Sequence, residues 1–382
     1  MSDYKPLKKT TSLFRTDSNL INLFKFNEFS EDVEFLRIPE WDKSAYEGKH
    51  LDDQDIIQLR YYISSVHNFE PQKNIIGDAC YLASKWKSYH PVKQYIEKEE
   101  WDKVPRIDEW LIKSIGCVDN GYVRQVSSKI LIAATARIYN PGCKFDHMLI
   151  LEGGQGIGKS TLVEEIADKW YLDTNFGHKD KDLIDSMRGV FIVEISELSG
   201  MNKKDVDWLK SFLSKKVDRV RLPYASRSKD FSRKCIFIGT YNPSGNNMYL
   251  RDDTGNRRFW PVECGNKINI EYVKENKAQL WAEALVRFKA KESYYLQDKE
   301  VLNTLIDIHS ERELESPTYC MIKDWLKHQG PEVSMQNIIG DCLKISSANK
   351  MPRDILSVAT TVGIIMKKMK WRKGTNDNRN IY

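Results

Sequence analysis

The sequence has no apolar run long enough to span a bilayer. Its longest, Val190–Val193, Met148–Leu151 and Ile130–Ala136, fall far short of the ~20 residues required. Met1-Ser2-Asp3-Tyr4-Lys5 carries no apolar targeting core, and Asn380-Ile381-Tyr382 no prenylation signal. Seven cysteines (Cys80, Cys117, Cys143, Cys235, Cys264, Cys320, Cys342) are scattered without a C-x-x-C pair. That spacing excludes a disulfide framework and a zinc ribbon. The seven histidines form no H-x-x-x-H pair either. Neither sign of charge dominates: 59 Lys+Arg stand against 54 Asp+Glu, a net charge of +5. With 41% hydrophobic and 30% charged residues, the 382-residue chain reads as a soluble, globular, cytoplasmic protein of two or three domains.

Five segments follow from the patterning. Residues 1–70 read as a polar, mobile arm of ~20 residues and a helical segment that includes Asp53–Val66. Residues 71–139 read as helical, with helices at Ile75–Trp86 and Val123–Tyr139; the second is ended by Asn140-Pro141-Gly142. Over 140–290 short apolar strands alternate with helices: His147–Leu151, Val190–Ile195 and Cys235–Thr240 against Ser160–Trp170, Lys204–Phe212 and Ala278–Ala290. Such alternation predicts a parallel α/β sheet. Residues 291–316 are a charged helical connector. Residues 317–382 place three helices before a basic, glycine-containing hairpin at Trp371–Asp377, an order that suggests a winged helix.

Gly153-Gly154-Gln155-Gly156-Ile157-Gly158-Lys159-Ser160 is a complete G-x-x-x-x-G-K-[ST], flanked by a strand and a helix that begins with Thr161. Glycines let backbone N–H groups converge on phosphate oxygens, and the helix start adds partial positive charge. Lys159 is assigned to the β- and γ-phosphates and Ser160 to Mg²⁺, with ATP as the nucleotide. The apolar strand 190–194 ends in Glu194, a candidate metal partner, and Glu197 follows as a candidate base for the attacking water. Asn242 closes the third strand, where ring-forming ATPases place an amide that senses the γ-phosphate.

Residues 215–234 carry eight basic and two acidic residues. Alternation at Val217, Arg219 and Arg221 predicts a β-hairpin, and Arg219, Arg221, Arg227, Lys229 and Arg233 are its candidate DNA contacts. Residues 317–382 add eleven basic against five acidic residues. The mild total therefore hides a net-acidic body with two concentrated basic surfaces. Arg257-Arg258, in Asp253-Thr254-Gly255-Asn256-Arg257-Arg258-Phe259, supplies one candidate arginine finger across a subunit interface and one structural ion pair; the spacing leaves open which is which.

These ordered motifs resemble the virulence-associated protein E family of phage and mobile-element proteins related to superfamily-three helicases. The resemblance covers about two-thirds of the chain. It includes His90-Pro91-Val92, Trp101-Asp102, Pro105-Arg106-Ile107-Asp108, Pro141-Gly142-Cys143-Lys144, the glycine-rich loop, Glu194-Ile195-Ser196-Glu197-Leu198, Pro223-Tyr224 and the Asp253–Phe259 run. It implies a collar-type domain over residues 71–139, a P-loop, AAA+-like ATPase core, a hexameric ring, and an ATP-driven DNA motor for replication of a phage or mobile element in a bacterial cytoplasm. Single-stranded or forked DNA is the implied substrate, and a primase or host replication protein a possible partner. Two features depart from the family: residues 1–70 are too short for the primase domain many members carry, and Glu194 and Glu197 are not adjacent. The rival functions are a non-translocating initiator or helicase loader, and a small-molecule P-loop kinase. The kinase leaves the hairpin and the C-terminal module unexplained.

Overall fold

The structure is a computed structural model that describes residues 5–42, 46–175, 180–196, 198, 203–221, 227–243, 255–312, 317–345, 352–369, 371, 374–376 and 379–381. The chain divides into two units, Met1–Arg312 and Glu313–Tyr382. Among the described residues, no helix is long and apolar enough to cross a membrane.

The first unit begins with α1 (Pro6–Thr16), β1 (Phe24–Asn27), β2 (Asp32–Phe35), α2 (Asp53–His67) and α3 (Lys73–Ser84). Pro6 stands at the helix start that tolerates it, and Leu13 and Phe14 are buried. Within the stretch expected to be a mobile arm, Pro6–Thr16 is thus a helix. Its apolar face is carried by few residues among many basic ones, too short a pattern to register. A second correction concerns β1 and β2, which lie in the segment read as helical. They pair antiparallel, and β3 (Ser88–Tyr89) joins β1 in parallel. Phe24, Phe35, Leu59, Ile63, Ile76 and Cys80 share one core, so a boundary at residue 70 cuts through a packed cluster. The Asp52 carboxylate accepts from the backbone N–H groups of Gln54 and Asp55, closing a capping box.

Next come α4 (Pro91–Ile96), α5 (Trp110–Ile115) and α6 (Gly121–Tyr139). Asn120 caps α6 through Val123 N–H, and the helix is buried on nearly all sides. Beyond it lie β4 (Met148–Glu152), α7 (Lys159–Ala167), β5 (Tyr171–Thr174), α8 (Asp180–Ser186), β6 (Ile192–Ile195) and α9 (Lys203–Ser214). The hairpin strands β7 (Val217–Val220) and β8 (Lys229–Ser232) follow, then β9 (Ile236–Tyr241), β10 (Phe259–Glu263), α10 (Ile270–Lys289) and α11 (Lys299–Arg312).

Five of these strands form the expected parallel sheet, in the order β10-β4-β9-β6-β5. Alternate residues feed two cores. Leu149, Leu151, Ile236 and Ile238 pack with α6, α7 and α10 residues, whereas Met148, Ile150 and Phe237 pack with Val206, Leu209 and Phe212 of α9. Burial on both faces explains the near-continuous apolar strands. Pro261 sits on edge strand β10, where a missing N–H is tolerated.

The second unit contains α12 (Pro317–Leu326), α13 (Met335–Asn337), α14 (Pro352–Lys368), β11 (Gly374–Asn376) and β12 (Arg379–Ile381), the last two paired antiparallel. Ile322, Val333, Ile338, Val362 and Met366 make its own core.

Candidate active site

The glycine-rich loop connects β4 to α7 at the carboxyl edge of the sheet, where open α/β sheets collect ligands. Gly156 and Gly158 have φ of +78° and +102°, so the loop needs glycine there. A cavity of about 380 Å³ opens beside it, lined by Lys159, Ser160, Thr161, Asp173, Ser196 and Asn242 among others.

Four predicted residues are joined by side-chain hydrogen bonds beside this cavity. Lys159 Nζ donates to the carbonyls of Gly153 and Gly154, each at 2.7 Å, and to Asn242 Oδ1 at 2.6 Å. Burial lowers the Lys159 pKa, against the opposing pull of Cys264 and Glu194. Ser160 Oγ donates to Glu194 Oε1 at 2.7 Å. Glu194 is fully buried and also accepts from Thr240 Oγ1 at 2.7 Å and Tyr171 OH at 2.5 Å. Burial and the adjacent carboxylate push the Tyr171 phenol well above its ordinary range. Glu197 lies outside the described residues.

Thr240 and Tyr171 carry no motif signal, but the sheet register accounts for them. Glu194 pairs with Ile238, so Thr240 two residues on shares its face. Asp173 pairs with Glu194, so Tyr171 also shares it. A third pair, behind the loop, was equally hidden. Arg312 at the end of α11 grips Glu152, the last residue of β4, through Nε at 2.8 Å to both oxygens and Nη2 at 2.7 Å to one.

The arginine pair divides by environment. Arg258 reaches Ser214 Oγ at 3.1 Å, Asp146 Oδ2 at 3.5 Å and its own turn at Gly255 O, 3.4 Å. Gly255 has φ +77°, and a Cβ there would meet Arg258 Nη1 at 2.8 Å. Arg257 is exposed, and its guanidinium has no partner among the described residues. Its carbonyl accepts from His147 Nδ1 at 3.0 Å, which fixes the backbone.

The hairpin forms as expected, with Arg219 opposite Asp230 and Val220 opposite Lys229; residues 222–226 lie outside the described set. Its basic residues are not equivalent. Arg219, Arg221 and Arg227 are exposed, and Arg219 faces Asp230 across 3.6 Å of solvent-exposed surface. Lys229 pairs with Glu31 at 2.6 Å. Although burial opposes it, hydrogen bonds from Lys229 and Lys234 hold the Glu31 carboxyl below its usual range. Arg233 corrects the expectation of a DNA contact. It is buried, forms a two-pronged pair with Asp218 at 2.6 and 2.9 Å, and donates to Phe212 O. A guanidinium so enclosed anchors the hairpin base to α9 and does not face a ligand.

A parallel α/β protein with a lysine, a serine and a buried carboxylate around a glycine-rich loop defines the class. The chain belongs to the virulence-associated protein E-like domain family, which matches residues 96–312. Two solved structures of the NrS-1 C-terminal region are similar in fold. An apo structure has a TM-score of 0.54 at 12% identity, covering 99% of this chain and 98% of that one. The A-form apo structure has 0.50 at 13% identity, covering 98% of each. No curated protein matches the sequence.

Proposed function

We propose that the protein is an ATP-hydrolysing, helicase-like motor that acts on DNA in replication of a phage or mobile element. The observation that carries this reading is the alignment of Lys159, Ser160, Glu194 and Asn242 along one sheet edge around the loop. Polyphosphate chemistry needs a cation for the phosphate oxygens, a hard-oxygen pair for Mg²⁺ and a polar group near the terminal phosphate.

In the structure Lys159 is satisfied by two loop carbonyls and Asn242. ATP binding exchanges these for phosphate oxygens and frees Asn242 to meet the terminal phosphate or the attacking water. Ser160 and Glu194 offer the hard oxygen donors Mg²⁺ prefers, 2.7 Å apart. The ion would neutralise charge on the β- and γ-phosphates. Tyr171 and Thr240 hold the Glu194 carboxylate in place. Glu197 is the candidate base.

Arg257, exposed and unpaired among the described residues, is the residue available to act on a neighbouring subunit's nucleotide, whereas Arg258 holds the turn. The site is then completed by a second copy, in a ring that the family resemblance makes hexameric. Arg219, Arg221 and Arg227 provide the exposed cations that grip the DNA backbone without sequence preference. Among the described residues, α12, α13 with the π-helical turn Ile338–Cys342 that continues it, and α14 precede a short antiparallel pair, which supports a winged helix for the C-terminal unit. The parallel sheet with its loop supports a P-loop, AAA+-like core.

ATPase activity of the assembled protein, with and without single-stranded DNA, tests the reading. Stimulation by DNA together with strand displacement is expected. Hydrolysis that DNA does not stimulate would refute the motor, and stimulated hydrolysis without displacement would favour a loader or initiator.

A further inference from the structure

Strand β5 places a second carboxylate beside Glu194. Asp173 is its register partner in the parallel β5–β6 pair, and opposed residues project from the same face of a sheet. Tyr171, two residues earlier, reaches Glu194 on that face. Asp173 is exposed and lines the same cavity as Ser160 and Thr161. Among the described residues, no hydrogen bond or ion pair engages its carboxylate. Like charges on directly opposed strand positions repel, and a cation close to both reverses the sign of that term.

The sheet order fixes which end of the cavity this is. Asn242 follows β9, Glu194 lies on β6, and Asp173 lies on β5 at the sheet edge. Lys159 binds the Asn242 end and Ser160 binds Glu194, so Asp173 stands on the far side of the metal ligands from the phosphate-sensing amide. Mg²⁺ keeps several waters and uses only one or two protein carboxylates directly. We propose that Asp173 is a positioning carboxylate for the divalent cation, holding water of a Mg²⁺ shell whose direct protein ligands are Ser160 and Glu194. This rests on the nucleotide-site reading above.

The test uses the full chain with Asp173→Ala and Asp173→Asn. Mg²⁺ is titrated at fixed concentration of a fluorescent ATP analogue with a non-hydrolysable β–γ bridge, and analogue binding is read directly. Loss of an outer-shell group typically weakens metal affinity ten- to a hundredfold. The Mg²⁺ midpoint is expected to rise about tenfold or more in Asp173→Ala, and less in Asp173→Asn, which keeps an acceptor without its charge. Analogue affinity in EDTA should equal the parent's. The melting temperature without nucleotide should be no lower, because the substitution removes a repulsion. A Mg²⁺ midpoint within about twofold of the parent would overturn the proposal. So would an equal loss of analogue affinity in EDTA, which would make Asp173 a structural residue or a nucleotide contact. If the parent binds no analogue at any Mg²⁺ concentration, the nucleotide-site reading itself falls.

Discussion

Replacing Arg312 by Met removes the guanidinium that holds Glu152 at the root of the glycine-rich loop. The two side chains are 9% and 4% exposed, and three contacts of 2.7–2.8 Å join them. Water therefore cannot resolvate the abandoned carboxylate, and breaking such a pair costs about 3–5 kcal/mol. Surface pairs such as Arg219–Asp230, at 3.6 Å with both partners mostly exposed, contribute about 0–1 kcal/mol by comparison. The companion substitution Glu152→Gln leaves a buried cation and should cost a similar amount. The double variant carries no buried charge and should recover about 2 kcal/mol or more of the summed losses. Urea titration of the four proteins, followed by intrinsic fluorescence, measures the cycle. The reasoning is refuted if Arg312→Met costs less than about 1 kcal/mol, or if the single effects simply add.

Several further outcomes bear on the site and its surroundings. Mixing Arg257→Ala subunits with Lys159→Ala subunits should restore part of the ATPase activity that each lacks alone, because a mixed interface joins an intact loop to an intact arginine; no recovery at any ratio would refute a finger supplied in trans. Arg219→Ala with Arg227→Ala should keep basal hydrolysis and lose its stimulation by single-stranded DNA, with little change in melting temperature. Arg233→Ala should instead destabilise the fold by about 3–5 kcal/mol, seen as a lower urea midpoint, because Asp218 is left buried and unpaired. His90 caps α4 by accepting from Lys93 N–H at 3.2 Å, and burial lowers its pKa to about 4. The unfolded chain takes up that proton near pH 6.5 and the folded one only near 4, so stability is complete above about pH 6.5 and declines as pH falls towards 4. The loss between pH 7.5 and 5 should be about 2 kcal/mol, and His90→Asn, which can keep the cap, should abolish this component in urea titrations at the two pH values.

The sequence made the sheet and its loop legible because both rest on local patterns. Apolar runs such as Cys235–Thr240 bury both faces of a strand, and the spacing of Gly153, Gly158, Lys159 and Ser160 is contiguous. The N-terminal subdomain was misread for the opposite reason. Phe24-Lys25-Phe26-Asn27 and Asp32-Val33-Glu34-Phe35 are four-residue strands whose alternation is too brief to stand out from a helical neighbourhood. Arg233 failed as a DNA contact because charge runs do not distinguish an exposed arginine from one whose partner, Asp218, lies fifteen residues earlier. Arg312 and Glu152, separated by 160 residues, could not be joined by any pattern along the chain.

If the site takes a nucleotide, as proposed, the same distinction accounts for how it is held beforehand. A buried ammonium without partners is costly, and burial already shifts Lys159 towards its neutral form. Two loop carbonyls and the Asn242 amide oxygen offset that cost, while three hydroxyl donors do the same for the buried Glu194. The lysine acceptors are neutral dipoles, so a triphosphate that replaces them supplies a full negative charge at similar distance and gains the difference. Glu194 has the converse arrangement: its donors are hydroxyls, of which Ser160 can turn its oxygen from donor to ligand as a cation binds. On the proposed function, the self-satisfied cavity would therefore exchange its internal partners for a polyphosphate and a metal together, since either one alone would leave the other half of the charge pattern unchanged.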